Sequence, residues 1–290
     1  MEFKENVSEL IEKRVSVRTF QKSMLSDDIQ NQLQEIVHAV PEAPFQSATR
    51  LELIPFREGD EHLIKKLGTY GMIRSPRGFL AGAVKPGRMA LVDLGYQMES
   101  WVLRLTEMDL GSCWLGGTFQ KGRFAEQIGL ATDEMLPVVI AFGKPESKPR
   151  LADQVARWAV GARKRLPWDA LFFADDFEGP LQPSDLEKSY TSALEGVRLA
   201  PSASNKQPWR VVKESGKQIY HFYLKRSGAY HEKNHPLRMA DFQKVDMGIA
   251  MCHFEAVVQL HGIQGQWRSE DPEMPHMPEK SEYVASWYQI

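Results

Sequence analysis

A chain of 290 residues, 42% hydrophobic and 26% charged, has the balance of a folded globular protein, with material for a substantial core and length for about two domains. Its formal net charge of -2 excludes a global basic field for nucleic acid or an anionic membrane, so any anion site must be a local arginine cluster and the partner is expected to be a small molecule. The opening MEFKENVSELIEKR is charged from the start, and no apolar run approaches the roughly 20 residues of a spanning helix, so a cytoplasmic chain is expected.

In RVSVRTF, residues 14–20, an extended backbone would put Arg14, Ser16 and Arg18 on one face and Val15 and Val17 on the other. The stretch reads as an edge strand with both valines in the core. Its cationic face is either solvated or holds an anion. SDDIQNQLQEIVHAV, residues 26–40, predicts a helix capped by Ser26 or Asp27, with Ile29, Leu33, Ile36 and Val37 at helical spacing. A loop at Pro41 and Pro44 and a strand at LELIPF follow. PSDLEKSYTSALEGVRLA, from Pro183, repeats this plan: a start at Ser184 or Asp185, then Leu186, Leu194 and Val197, a loop at Pro201 and a strand at WRVV. Cys113 and Cys252 have no metal-binding spacing, and the eight histidines form no HExxH pattern, so free thiols and no metal are expected.

The stretch VDLGYQMESWVLRLTEMDLGSCW, from Val92, pairs without a gap with VDMGIAMCHFEAVVQLHGIQGQW, from Val245. Asp93 meets Asp246, Gly95 meets Gly248 and Trp114 meets Trp267. Both are apolar on more than one helical face and predict two buried central helices packed on each other. A strand is expected after each, at LPVVIAFG (136–143) and YVASWYQI (283–290). The chain thus reads as two copies of one α+β unit, residues 1–175 and 176–290, forming one intertwined body that holds a twofold interface inside a single chain.

The copies differ in what they carry. Only the first has RVSVR, LGG after Trp114 and the basic GARKRLP; only the second has PSASNKQPW, where the first has PEAPFQSATR. Taken in order, RxSxR, DLGxxMxxxxLxxxEMxLGSCWLGG, the late basic run and PSASNxQPW resemble the FMN-dependent nitroreductase family, especially its single-chain members with two fused half-units. The resemblance covers most of the chain. It implies an α+β three-layer sandwich with a pseudo-twofold dimer in one chain. Each half supplies what the other lacks, so one flavin per chain is expected, in a chain that works as a monomer.

The resemblance also implies roles. Arg14 and Ser16 would hold the FMN phosphate and Arg18 the pyrimidine edge of the ring; four strand residues span about 13 Å, comparable to the cofactor. Arg163 and Arg165 would complete the phosphate pocket, with Lys164 pointing away on a basic strand; a solvated basic turn is the plainer reading of that run. Pro201, Ser202, Ala203, Ser204, Asn205 and Gln207 would meet the flavin from the other half, with Trp209 as packing. Leu115, Gly116 and Gly117 would line the ring, a backbone N–H aimed at N5, so that Gly116, Gly117 and Arg18 are the candidate catalytic positions. Some relatives carry glutamate where this chain has Gly116. NAD(P)H would reduce the flavin and give way to a nitroaromatic, quinone or related acceptor in a ping-pong scheme. Other implied outcomes are dehalogenation, flavin breakdown, and flavin binding or storage without turnover.

Overall fold

The computed structural model describes residues 1, 3–147, 161, 164–227 and 240–290. The chain opens with helix α1 (Val7–Lys13), capped by Asn6, whose Oδ1 accepts from the Ser8 amide at 3.0 Å. Residues 14–20 then run extended but build no strand, contrary to the expectation. They change partner as they go. The Val17 amide donates to Ser112 O at 2.8 Å, the Arg74 amide to Arg18 O at 2.8 Å, and the Phe20 amide to Arg74 O at 3.0 Å. Such single bridges impose no continuous two-faced ladder, and the faces invert at the start: Arg14 is 8% exposed, Val15 is 52% exposed, and only Val17 of the two valines is core.

Helix α2 (Asp27–His38) has the expected cap, Ser26 Oγ accepting from the Ile29 amide at 3.5 Å, with Leu33 and Val37 buried. It stops short of Val40, which precedes Pro41 and is disfavoured in helical geometry. Next come β1 (Thr49–Pro55), α3 (Glu61–Lys66), β2 (Gly78–Val84), α4 (Ala90–Glu107), β3 (Gly111–Leu115), α5 (Lys121–Gln127) and β4 (Met135–Gly143). The four strands pair antiparallel in the order β1-β2-β4-β3. Strand alternation gives this sheet two buried faces. Leu80, Ile140 and Phe142 join the core around α4, while Phe79, Ala81, Val139 and Ala141 pack with Phe124 of α5.

The remaining elements are β5 (Phe172–Ala174), β6 (Gly179–Pro180), α6 (Lys188–Leu199), β7 (Trp209–Lys213), β8 (Ile219–Lys225), α7 (Phe242–Leu260), β9 (Gly265–Arg268) and β10 (Ser281–Gln289). Their sheet has the order β6-β5-β7-β8-β10-β9, with β5 parallel to β7 and the other pairs antiparallel. From β7 on, that order repeats the order of the first sheet. Helix α6 begins later than expected: Pro183–Asp185 forms a single 3-10 turn, and Leu186 lies outside the helix. Residues 164–167 form no strand, contrary to the expectation for the basic run.

Helices α4 and α7 form the middle layer, nearly all of their residues buried, with a sheet on either side. The two stretches that read as helices continue into strands β3 and β9 after chain reversals at Asp109 (φ 55°) and Gly262 (φ 74°). Where α4 crosses α7, a Cβ on Gly95 would stand 2.2 Å from Val245 O, and one on Gly248 would stand 1.9 Å from Val92 O. This contact is reciprocal, as a twofold relating the paired glycines and valines requires. Among the described residues, no helix is long and apolar enough to cross a membrane and no cluster of side chains could hold a metal ion. Cys113 and Cys252 are both buried.

Candidate functional site

Arg14 caps the C-terminus of α1, its amide donating to Leu10 O at 2.9 Å, and its side chain turns inward. The guanidinium Nε lies 3.9 Å from Oε1 of Glu99 on α4, an ion pair with both side chains buried, and makes no hydrogen bond among the described residues. Glu99 serves other donors as well. Its Oε2 accepts from Trp114 Nε1 at 2.9 Å, and its Oε1 is 3.0 Å from Nε2 of His253 on α7. His253 Nδ1 in turn lies 2.9 Å from Gly196 O on α6. One carboxylate therefore links four elements and the residue that precedes Leu115.

From the second half, the Pro201–Gln207 loop closes on the basic run. Arg165 Nη2 donates to Leu199 O at 3.1 Å and its Nη1 to Asn205 Oδ1 at 3.3 Å. Burial, then the nearby charges of Arg14 and Arg198, lower the Arg165 pKa, which places its charge with that of Arg14. Arg198 is itself neutralised by Glu195, at 2.6 Å. Asn205 Nδ2 donates to Gly161 O at 2.8 Å and Lys164 O at 2.9 Å, while Gln207 Oε1 accepts from the Leu166 amide at 2.8 Å. The two amides thus hold the basic segment in place. Ser204, Asn205 and Gln207 adopt left-handed backbone, and Ser202 Oγ braces the loop by accepting from the Gln207 amide at 2.9 Å. Trp209 is fully buried packing.

The paired aspartates acquire a role here. Asp93 accepts from the Phe45 and Ser47 amides at 3.0 and 2.9 Å, and Asp246 from the Ala203 amide at 2.9 Å, so each pins the loop in front of its own sheet. Burial raises the pKa of both carboxyls, that of Asp246 the more strongly. Asp246 Oδ2 is buried without a partner among the described residues.

Ser16 bridges Ser112 of β3, which sets RVSVR beside the strand that ends at Leu115. Gly116 and Gly117 are not among the glycines with positive φ. Gly116 is required for a different reason: a Cβ there would stand 2.7 Å from the ring of Phe242, at the start of α7. Arg18 lies further along the extended run, with its Nη1 buried and without a hydrogen-bond partner among the described residues. Arg163 lies outside the described residues. The structure therefore joins Arg165, Asn205 and Gln207 in one cluster, with Arg14 near enough to act on the Arg165 charge, Ser16 bridged to β3 and Leu115 at the end of that strand. No contact described links Arg18 or Gly117 to that cluster. Glu99, His253 and Phe242 were not singled out from sequence, although an acid and a histidine inside helices apolar on every face are a legible signal.

Comparison with curated proteins gave no match. A structure from Thermotoga maritima MSB8, described as a putative nitroreductase, aligns over 99% of this chain and 95% of its own, with 19% identity and a TM-score of 0.60, which shows a shared fold. Shorter structures align in part. A nitroreductase family protein from Clostridium difficile 630 covers 58% of this chain with 94% of its own, at 18% identity and a TM-score of 0.42. A nitroreductase with bound FMN from Desulfitobacterium hafniense DCB-2 covers 50% with 93% of its own, at 17% identity and a TM-score of 0.41. Residues 6–258 match the family described as "Putative TM nitroreductase", so the chain belongs to that nitroreductase family.

Proposed function

We propose that the chain is a flavin-dependent oxidoreductase that binds FMN between its halves and passes electrons from NAD(P)H to a nitroaromatic, quinone or related small acceptor, the two substrates using one site in turn. The observation that carries this reading is a pair of buried guanidinium donors, Arg14 Nε and Arg18 Nη1, without acceptors among the described residues. Glu99, the acid beside Arg14, stands 3.9 Å from Nε and also serves His253 and Trp114. A phosphate dianion at one end and ring carbonyls at the other fit such donors, because unmatched buried guanidinium groups are costly.

FMN, when bound, supplies the hydride chemistry that protein side chains lack. Arg14 and Arg165 hold the phosphate charge, and Arg18 sets a positive charge where the ring gains negative charge. Asn205 and Gln207 keep Arg165 in place through the backbone they hold. Leu115 to Gly117 line the ring edge, with Phe242 limiting the space above Gly116. The counterparts of Leu115, Gly116 and Gly117 in the second half are Arg268, Ser269 and Glu270, which supports one flavin per chain. The chain then needs no second copy to complete its site.

Purified protein should be yellow, absorbing near about 450 nm, with roughly one FMN per chain. Anaerobic NADH or NADPH should bleach it, and Arg14→Ala should empty it. A colourless protein that takes up no FMN sinks the reading. A yellow one that neither nucleotide reduces is a flavin binder without turnover.

A further inference from the structure

We infer that Glu99 is a positioning residue for the anion end of the flavin site, acting through Arg14; the inference rests on the flavin reading above. Gly196 O can only accept, so His253 Nδ1 carries a proton and donates to it. The 3.0 Å contact between His253 Nε2 and Glu99 Oε1 then requires one more proton between them, on either atom. Either way the pair has no net charge. Glu99 therefore does not cancel the positive charge that Arg14 offers a ligand; it fixes where that charge sits. Its other oxygen, held by Trp114, ties the same carboxylate to the residue in front of Leu115 and Gly116.

The duplication supports this assignment. At the spacing that pairs Asp93 with Asp246, Glu99 pairs with Cys252 and His253 with Ser100, so the acid belongs to the first copy and the histidine to the second. The first copy alone also carries RVSVR, so the acid and the arginine are missing together from the other copy. A carboxylate needed only for packing the central helices would have no reason to follow the arginine.

Glu99→Gln is the direct test. If the amide nitrogen takes the place of Oε1, it faces Arg14 Nε, donor against donor. If it takes the place of Oε2, it faces Trp114 Nε1, donor against donor. Riboflavin carries the same ring without the phosphate, so the ratio of FMN to riboflavin dissociation constants isolates the anion end. Apoprotein titrated with each flavin, by fluorescence quenching, should show an FMN preference in wild type that falls roughly tenfold in Glu99→Gln with riboflavin affinity unchanged. In an Arg14→Gln background, Glu99→Gln should no longer alter the preference. Should Glu99→Gln not fold, Glu99→Asp, which keeps the charge but withdraws it by one methylene, should lower the preference in the same sense. Equal loss of both flavins, an unchanged preference, or an effect that persists without Arg14 overturns the inference and leaves the flavin reading intact. Wild type that binds neither flavin overturns both.

Discussion

Replacing Gly248 with alanine forces the two central helices apart. The new Cβ would stand 1.9 Å from Val92 O and 2.7 Å from the Tyr96 amide nitrogen, both backbone atoms that no rotamer change can move. Reaching ordinary contact near 3.4 Å requires the helix axes to separate locally by about 1.5 Å, in a layer where nearly every side chain is buried on both sides. That places the substitution at the top of the overpacking range, about 3 kcal/mol, out of a total stability on the order of 5–15 kcal/mol. At about 2–4 °C per kcal/mol for a chain of this size, the melting temperature should fall by about 6–12 °C. Gly95→Ala, whose Cβ would meet Val245 O at 2.2 Å, should cost nearly as much. The double variant should cost less than the two single losses combined, because one separation relieves both clashes. Gly122→Ala, in the first turn of α5 with nothing within 4 Å, is the control and should be neutral or raise stability by about 0.5 kcal/mol. Differential scanning calorimetry reads all four. A Gly248→Ala protein melting within about 2 °C of wild type refutes the crossing geometry.

Other expectations are separable from this one. Phe242→Ala should destabilise by about 3 kcal/mol, and Gly116→Ala, harmful alone because its Cβ meets the Phe242 ring at 2.7 Å, should be tolerated once that ring is removed; additive losses would show that the contact is not what excludes a side chain at 116. Burial lowers the His221 pKa below its ordinary 6.5 despite Glu214 at 3.0 Å. Its neutral form therefore favours the fold above pH 6.5, and that stability is lost as pH falls from 6.5 through the lower folded value. The melting-temperature advantage of wild type over His221→Gln should shrink as the pH drops below 6.5, and an advantage that grows has the sign wrong. Arg50 and the Ala131 amide hold the Glu134 carboxyl down at about 2, from 4.5. Glu134→Gln should cost about 1 kcal/mol at neutral pH, a difference complete above pH 4.5 and gone as pH falls through about 2 in acid titrations followed by circular dichroism.

Much of the fold was legible because its signals are local. Ser26 before an amphipathic run announced α2, and the ungapped pairing of Asp93, Gly95 and Trp114 with Asp246, Gly248 and Trp267 announced two equivalent central helices. Strands β3 and β9 were hidden inside the same pairing. They are short and as apolar as the helices before them, and periodicity cannot divide a uniformly buried run. The alternation in RVSVR misled for a related reason. It predicts two faces but not which one is buried, and α1 delivers Arg14 inward against Glu99 while Val15 meets solvent. The motifs single out Arg14, Arg165 and Asn205 but not their neighbours Glu99 and His253, which meet across a sequence distance that only the folded helices close.

The Lys164 carbonyl accepts from three side chains: Asn205, Gln207 and Arg165 donate to it, at 2.9, 3.3 and 3.1 Å. Strand β5, which begins eight residues on, pairs with β7. The end of the first repeat is thus an exchanged arm lodged in the second. A chain cut between 175 and 176 would yield fragments with mismatched edges, one carrying a stray strand and the other missing it, so neither should hold its fold alone while the two mixed together should reassociate. A gene encoding such a protein can drift in sequence throughout its loops, but it cannot be divided back into the two free-standing subunits that the repeat suggests.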